Sequence, residues 1–153
     1  MALIDPGLQA DSHRNRRLHR AQRFGLPLIA AWLAGASQPL VAARQLQIPG
    51  QQQQWLAGLE RLQQWLNDAA PPSSAPPSQW TAALEDGGWP VQAVELLICL
   101  NDQYWCPLWR WWSRWRHVQS PCSAKALIAE GLAPGPGLGA ELRRRRFLQL
   151  DQG

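Results

Sequence analysis

Apolar residues along this chain recur at intervals of three and four, and in no segment do they alternate with polar ones. Leu26, Ile29, Ala30 and Leu33 form one such stripe, closed by Gly35. Trp55, Leu59, Leu62 and Leu66, with Trp65 beside them, form a longer one whose first turn is the glutamine run from Gln51 and which ends near Asn67. Val91, Val94, Leu97 and Ile98 form a third behind Pro90. This is the period of helices that bury one face, and the missing period of two leaves β-structure without support. Gly25 with Pro27, Ser37 with Pro39, Ile48-Pro49-Gly50 and Gly87-Gly88 cut the pattern into short pieces. An all-α fold of seven to nine short helices is expected.

The punctuation also suggests an organisation. Residues 1–11 have no periodicity and read as a loose lead-in, after which Ser12 is placed to cap a helix running to Arg23. Residues 69–77 hold four prolines in nine positions and read as a semi-extended, solvent-exposed Pro/Ser linker. It divides an N-terminal helical half, 12–68, from a C-terminal half, 78–153, in which Ser78 is the expected cap of a helix to Asp86.

The segment from Tyr104 to His117 is dominated by tryptophan and arginine. On a helical wheel Trp105, Leu108, Trp109, Trp112 and Trp115 share one face, expected to fill the core between the halves. Trp111, Arg110 and Arg114 fall on or near the other face, where an exposed indole between two guanidinium groups would offer a stacking platform to unpaired bases. A Trp/Arg helix also suits an anionic membrane surface, but that would require the whole tryptophan face to stay exposed, so membrane binding ranks last.

Composition sharpens this picture in one respect. The 153 residues suffice for one modest domain, and the ten tryptophans against three Phe and Tyr make indole the main aromatic core former. Net charge is +4, and of the fifteen Lys and Arg residues all but Lys125 are arginine. Arginine matches phosphate geometry and stacks on bases, which favours an anionic partner, although a GC-rich coding sequence would enrich arginine equally. Arg16, Arg20 and Arg23 fall on one helical face at i, i+4 and i+7, either a solvated face or a phosphate-tracking strip. Cys99, Cys106 and Cys122 are odd in number and irregularly spaced, which gives neither a zinc motif nor a disulfide framework. With no leader pattern and no long apolar run, the expected location is the cytoplasm.

Near the C-terminus lies Gly131-Leu132-Ala133-Pro134-Gly135-Pro136-Gly137-Leu138-Gly139, followed by Ala140-Glu141-Leu142 and four arginines, Arg143 to Arg146. Glycine and proline end one helix and open the next, and Gly135, Gly137 and Gly139 let a large partner approach the backbone. The first amides of the second helix point outward, and Arg143, Arg144 and Arg146 follow within two turns, an arrangement suited to nucleic-acid phosphate.

These residues, with Leu142, Leu150 and Asp151, resemble the C-terminal signature of bacterial tRNA nucleotidyltransferases and poly(A) polymerases, in which a G-L-x-P-G-P-x-L-G turn precedes a leucine-rich helix and L-D-G. A softer likeness lies upstream, where Ala43-Arg44-Gln45-Leu46-Gln47-Ile48 followed by Trp55, Leu56 and Leu59 is similar to a short body helix, a turn and the next long helix of that family. The resemblance implies that about Arg14 to Asp151 corresponds to the family's helical body and tail, which grips RNA, tRNA above all. Two departures raise the positive charge at the turn: Arg145 stands where the family has an apolar residue, and Lys125-Ala126 where it tends to carry acids.

The resemblance implies nucleotidyl transfer only for a catalytic head, which uses magnesium and nucleoside triphosphates and which this chain lacks. No two of its acids are separated by one residue, so the D-x-D type of metal-holding pair is missing. Glu85-Asp86 is the one adjacent pair, and Trp89 occupies the position where a base-reading E-D-x-x-R motif needs arginine. His13, His19 and His117 are scattered, so no catalytic residue is assigned. The expected function is therefore RNA binding, with tRNA as the RNA the resemblance favours, tRNA 3′-end processing implied by the resemblance alone and no catalytic site in this chain; a separately encoded head is one partner the resemblance allows. Two alternatives belong to other classes: a protein-interaction subunit docking through its Trp-rich helix, or a DNA binder of helix-hairpin-helix type, whose glycine turn Leu127-Ile128 with Gly131-Leu132 and Gly135 resembles.

Overall fold

The computed structural model describes residues 11–153, with side chains from residue 15 onward. The expected lead-in up to residue 10 and the capping role of Ser12 lie outside what is described. Among the described residues the chain is all-helical. In order, the helices are α1 (Asp11–Phe24), α2 (Leu28–Ala34), α3 (Pro39–Gln45), α4 (Gly50–Ala69), α5 (Pro77–Asp86), α6 (Val91–Leu100), α7 (Trp105–Ser113), a 3-10 turn (Trp115–His117), α8 (Ala124–Ala129) and α9 (Pro136–Gln152).

The most apolar helix, α6, lies at the centre because its stripe is widest: every residue from Ala93 to Cys99 is buried. Helices α1, α2, α4 and α7 pack against it. Leu59, Leu62 and Leu66 of α4 supply the facing surface as their spacing predicts, but Leu56, not the expected Trp55, completes it, and Trp55 is only partly buried. The two helices cross closely at Gly58, where a Cβ would stand 2.9 Å from Pro90 Cδ. One buried cluster runs from Ala21 to Trp111.

That cluster draws on residues from both sides of 69–77, and the stretch itself, exposed from Pro72 to Ser74 and at Pro76 as its composition suggested, is anchored to the core at several points. Pro71 is buried, Ala70 and Ala75 pack on the core, and the Pro72 carbonyl accepts from Trp80 Nε1 at 3.1 Å. Trp80 is fully buried, so its indole N–H needs an acceptor that water cannot supply, and the Pro-rich segment is pulled inward to provide one.

Two helix starts are completed by acids from elsewhere. Helices α3 and α5 open on proline and have no side-chain cap of their own. Glu60 of α4 accepts from the Leu40 amide at 3.1 Å. Asp151 of α9 accepts from the Ser78 amide at 2.9 Å and from its hydroxyl at 2.7 Å. Ser78 is thus a donor inside the first turn, not the expected cap, because Pro76 and Pro77 start the helix earlier. Ser123 does cap its own helix, accepting from the Ala126 amide at 3.1 Å.

Helices α8 and α9 lie outside the main cluster. Each buries one leucine, Leu127 and Leu150, and α9 rests on α5 and α8.

Candidate nucleic-acid interface

The Gly/Pro turn forms as its sequence predicts: Pro136 opens α9 behind Gly135, whose φ of +147° suits only glycine. Gly137 and Gly139 lie in the first turn of the helix, and a Cβ at either would meet open space. Their small size is therefore not required by packing within the chain.

The arginines behind the turn already have partners. Arg143 pairs with Asp86 at 2.6 Å and lies over the Phe147 ring. Arg146 forms a two-pronged pair with Glu85 at 2.7 and 2.8 Å and also donates to the Val118 and Trp115 carbonyls. Arg144 and Arg145 both hold Glu141, and their hydrogen bonds keep its carboxyl down to about 2. Arg145 reaches Glu130 and the Cys122 sulfur as well, so the residue that interrupts the apolar stripe is absorbed by polar groups of α8 and its approach. The adjacent acids Glu85 and Asp86, which had no metal-holding geometry in the sequence, thus clasp the tail to the end of α5.

The N-terminal strip is likewise partly engaged. Arg16 and Arg20 pair with Asp102 at 3.4 and 3.2 Å, and Arg20 also donates to the Ile98 carbonyl. Arg23 is exposed, with no acid beside it among the described residues. Helix α1 packs on α2 and α6, whereas α9 packs on α5 and α8, so the two arginine groups sit on different parts of the bundle.

In the Trp-rich helix the wheel reading fails by one step. Trp111 is buried with Leu108 and Pro107, and it is Trp105, Trp109, Trp112 and Trp115 that remain half-exposed. The proposed stacking role of Trp111 is therefore corrected: its ring is 4% exposed and belongs to the core. The reason is that this helix is apolar around most of its circumference, so two overlapping arcs fit equally well and the contacts with α5 and α6 decide. The helix also stops at Ser113, which takes Trp115 off the wheel.

Arg110 and Arg114 are exposed as expected, and neither has an acid partner among the described residues. They open, with Trp115 and Val118, onto a groove of about 400 Å³ whose far wall is Gln149 and Leu150 of α9. Arg146 donates to the carbonyls of Trp115 and Val118, two residues of that lining. The fold thereby brings the tail beside the arginines of α7, a proximity that forty intervening residues hide in the sequence.

On its other side α7 carries a ladder of indoles. Trp105 and Trp109 are parallel within 4° at 5.9 Å between centroids, and Trp109 and Trp112 are 5.4 Å apart at 24°. Phe24 braces the ladder edge-on, 4.7 Å from Trp112. Trp112 Nε1 donates to Glu95, whose carboxyl burial pushes up, against the pull of that bond and of Arg116.

The cysteines are all free, and burial pushes the Cys99 thiol up to about 12, so it packs as a small apolar group. Among the described residues no three His, Cys, Asp or Glu side chains group to hold a metal, and no helix is long and apolar enough to cross a membrane. No protein-family model, curated protein or solved structure matches the chain.

Proposed function

We propose that the chain is an RNA-binding helical module that holds phosphates in the groove between α7 and α9, with tRNA as the RNA its turn motif implies. The observation that carries this reading is the pair Arg110 and Arg114, exposed, without acid partners among the described residues, and opening onto one groove beside Trp115. A phosphate can meet these two guanidinium groups without displacing an acid, whereas Arg143, Arg144 and Arg146 must first give up Asp86, Glu141 and Glu85. Gly137 and Gly139 add an unobstructed backbone surface at the start of the same helix.

The test is tRNA binding by the purified protein across a salt series, with duplex DNA of equal length as competitor. Binding is expected to weaken with salt and to prefer tRNA, and Arg110→Gln and Arg114→Gln should each reduce the salt slope by about 1. Binding that ignores salt and survives both changes would remove this reading in favour of a protein partner at the indole ladder. Equal affinity for duplex DNA would favour the helix-hairpin-helix alternative.

A further inference from the structure

A second groove, of about 320 Å³, lies where α1 meets α7 and is lined by Phe24, Ile98, Trp105 and Trp109, with Arg20 and Arg23 above it. Its size falls within the roughly 300–1,000 Å³ of small-molecule sites. Its walls are aromatic and aliphatic, and its charge is entirely positive. Arg20 is half-committed, lying 5.8 Å from the Trp105 ring centroid and paired with Asp102. Arg23, exposed and without an acid beside it, is the group left for a ligand. An apolar aromatic lining rimmed by a guanidinium with no acid beside it among the described residues fits a ligand that is planar and aromatic at one end and anionic at the other.

Resting on the RNA-binding reading above, we infer that this groove receives an unpaired base of the bound RNA against Trp105 and Trp109, with its phosphate at Arg23. Helix α7 carries both grooves. Arg110 follows Trp109 by one residue, about 100° around the helix axis, so one strand crossing α7 meets the stacking face and the arginine pair in succession. Base–aromatic stacking is sequence-tolerant because every base has a π-face, so the preference created here is for unpaired over paired RNA.

The test compares a labelled single-stranded oligoadenylate with a base-free ribose-phosphate strand of equal length by fluorescence anisotropy. The base-bearing strand should bind about tenfold or more tightly, and Trp109→Leu should remove that preference. Arg23→Glu should weaken both strands severalfold, whereas the same change at the exposed Arg44 of α3 should have much less effect. Equal binding of the two strands by the unmodified protein overturns the inference, as does a preference that survives Trp109→Leu. Should Trp109→Leu fail to fold, Arg23→Glu with no greater effect than Arg44→Glu overturns it. Equal binding that is still lost on Arg110→Gln with Arg114→Gln leaves the RNA-binding reading intact and removes only the stacking. No binding of either strand removes both.

Discussion

Trp111 shows how much depends on one side chain's direction. Its ring is buried, yet its indole N–H has no hydrogen-bond partner, so burial of the ring stabilises while the stranded donor costs. Trp111→Phe removes that donor and keeps much of the ring, and should change stability little, whereas Trp111→Ala should cost about 3–5 kcal/mol by opening a cavity. Chemical denaturation would read both, and Trp111→Phe should leave RNA affinity unchanged. Glu95 is a second residue whose surroundings oppose its ordinary state. Burial raises its carboxyl above 4.5, so its contribution to stability is complete below that pH and declines as pH rises through the raised folded value. Glu95→Gln keeps an acceptor for the Trp112 indole and removes the buried charge. Melting temperature followed against pH should show the variant gaining on the parent from acid toward neutrality, and parallel curves would mean that Arg116 compensates the charge fully.

Helix α9 is held differently from the helices of the core. It buries little besides Leu150, and its attachment to α5 runs through Arg143 with Asp86, Arg146 with Glu85, and Asp151 with Ser78. Each exposed pair contributes about 0–1 kcal/mol and is screened by salt. Glu85→Gln with Asp86→Asn should therefore speed amide hydrogen exchange across α9 roughly three- to tenfold while moving the melting transition of the core little. Unchanged exchange would mean that Leu150, the carbonyl bonds of Arg146 and the Asp151 bonds to Ser78 hold the tail without the two ion pairs. The same double change leaves Arg143 and Arg146 available to phosphate, so tRNA should bind the variant more tightly at low salt.

Across the whole molecule, legibility followed the range of the interaction. Helix positions were readable because a stripe such as Leu59, Leu62 and Leu66 is set by local periodicity, and turns such as Gly135-Pro136 by backbone sterics. Charge partners were not, since Asp102 meets Arg16 and Arg20 across more than eighty residues and nothing local marks the pairing. The groove between α1 and α7 was hidden for the same reason, since Phe24 and Trp109 lie far apart in sequence and their rings meet at 5.9 Å only in the folded chain. The Trp-rich helix failed because its apolar residues left two faces equivalent. The trans-cap on α5 has a consequence for how the chain matures. Asp151 is made 73 residues after the Ser78 it serves, so a chain growing from its N-terminus assembles α1 to α7 with the first turn of α5 still open. Synthesis of α9 closes that turn, so the start of α5 is completed only once the helix that carries Asp151 has been made and docked.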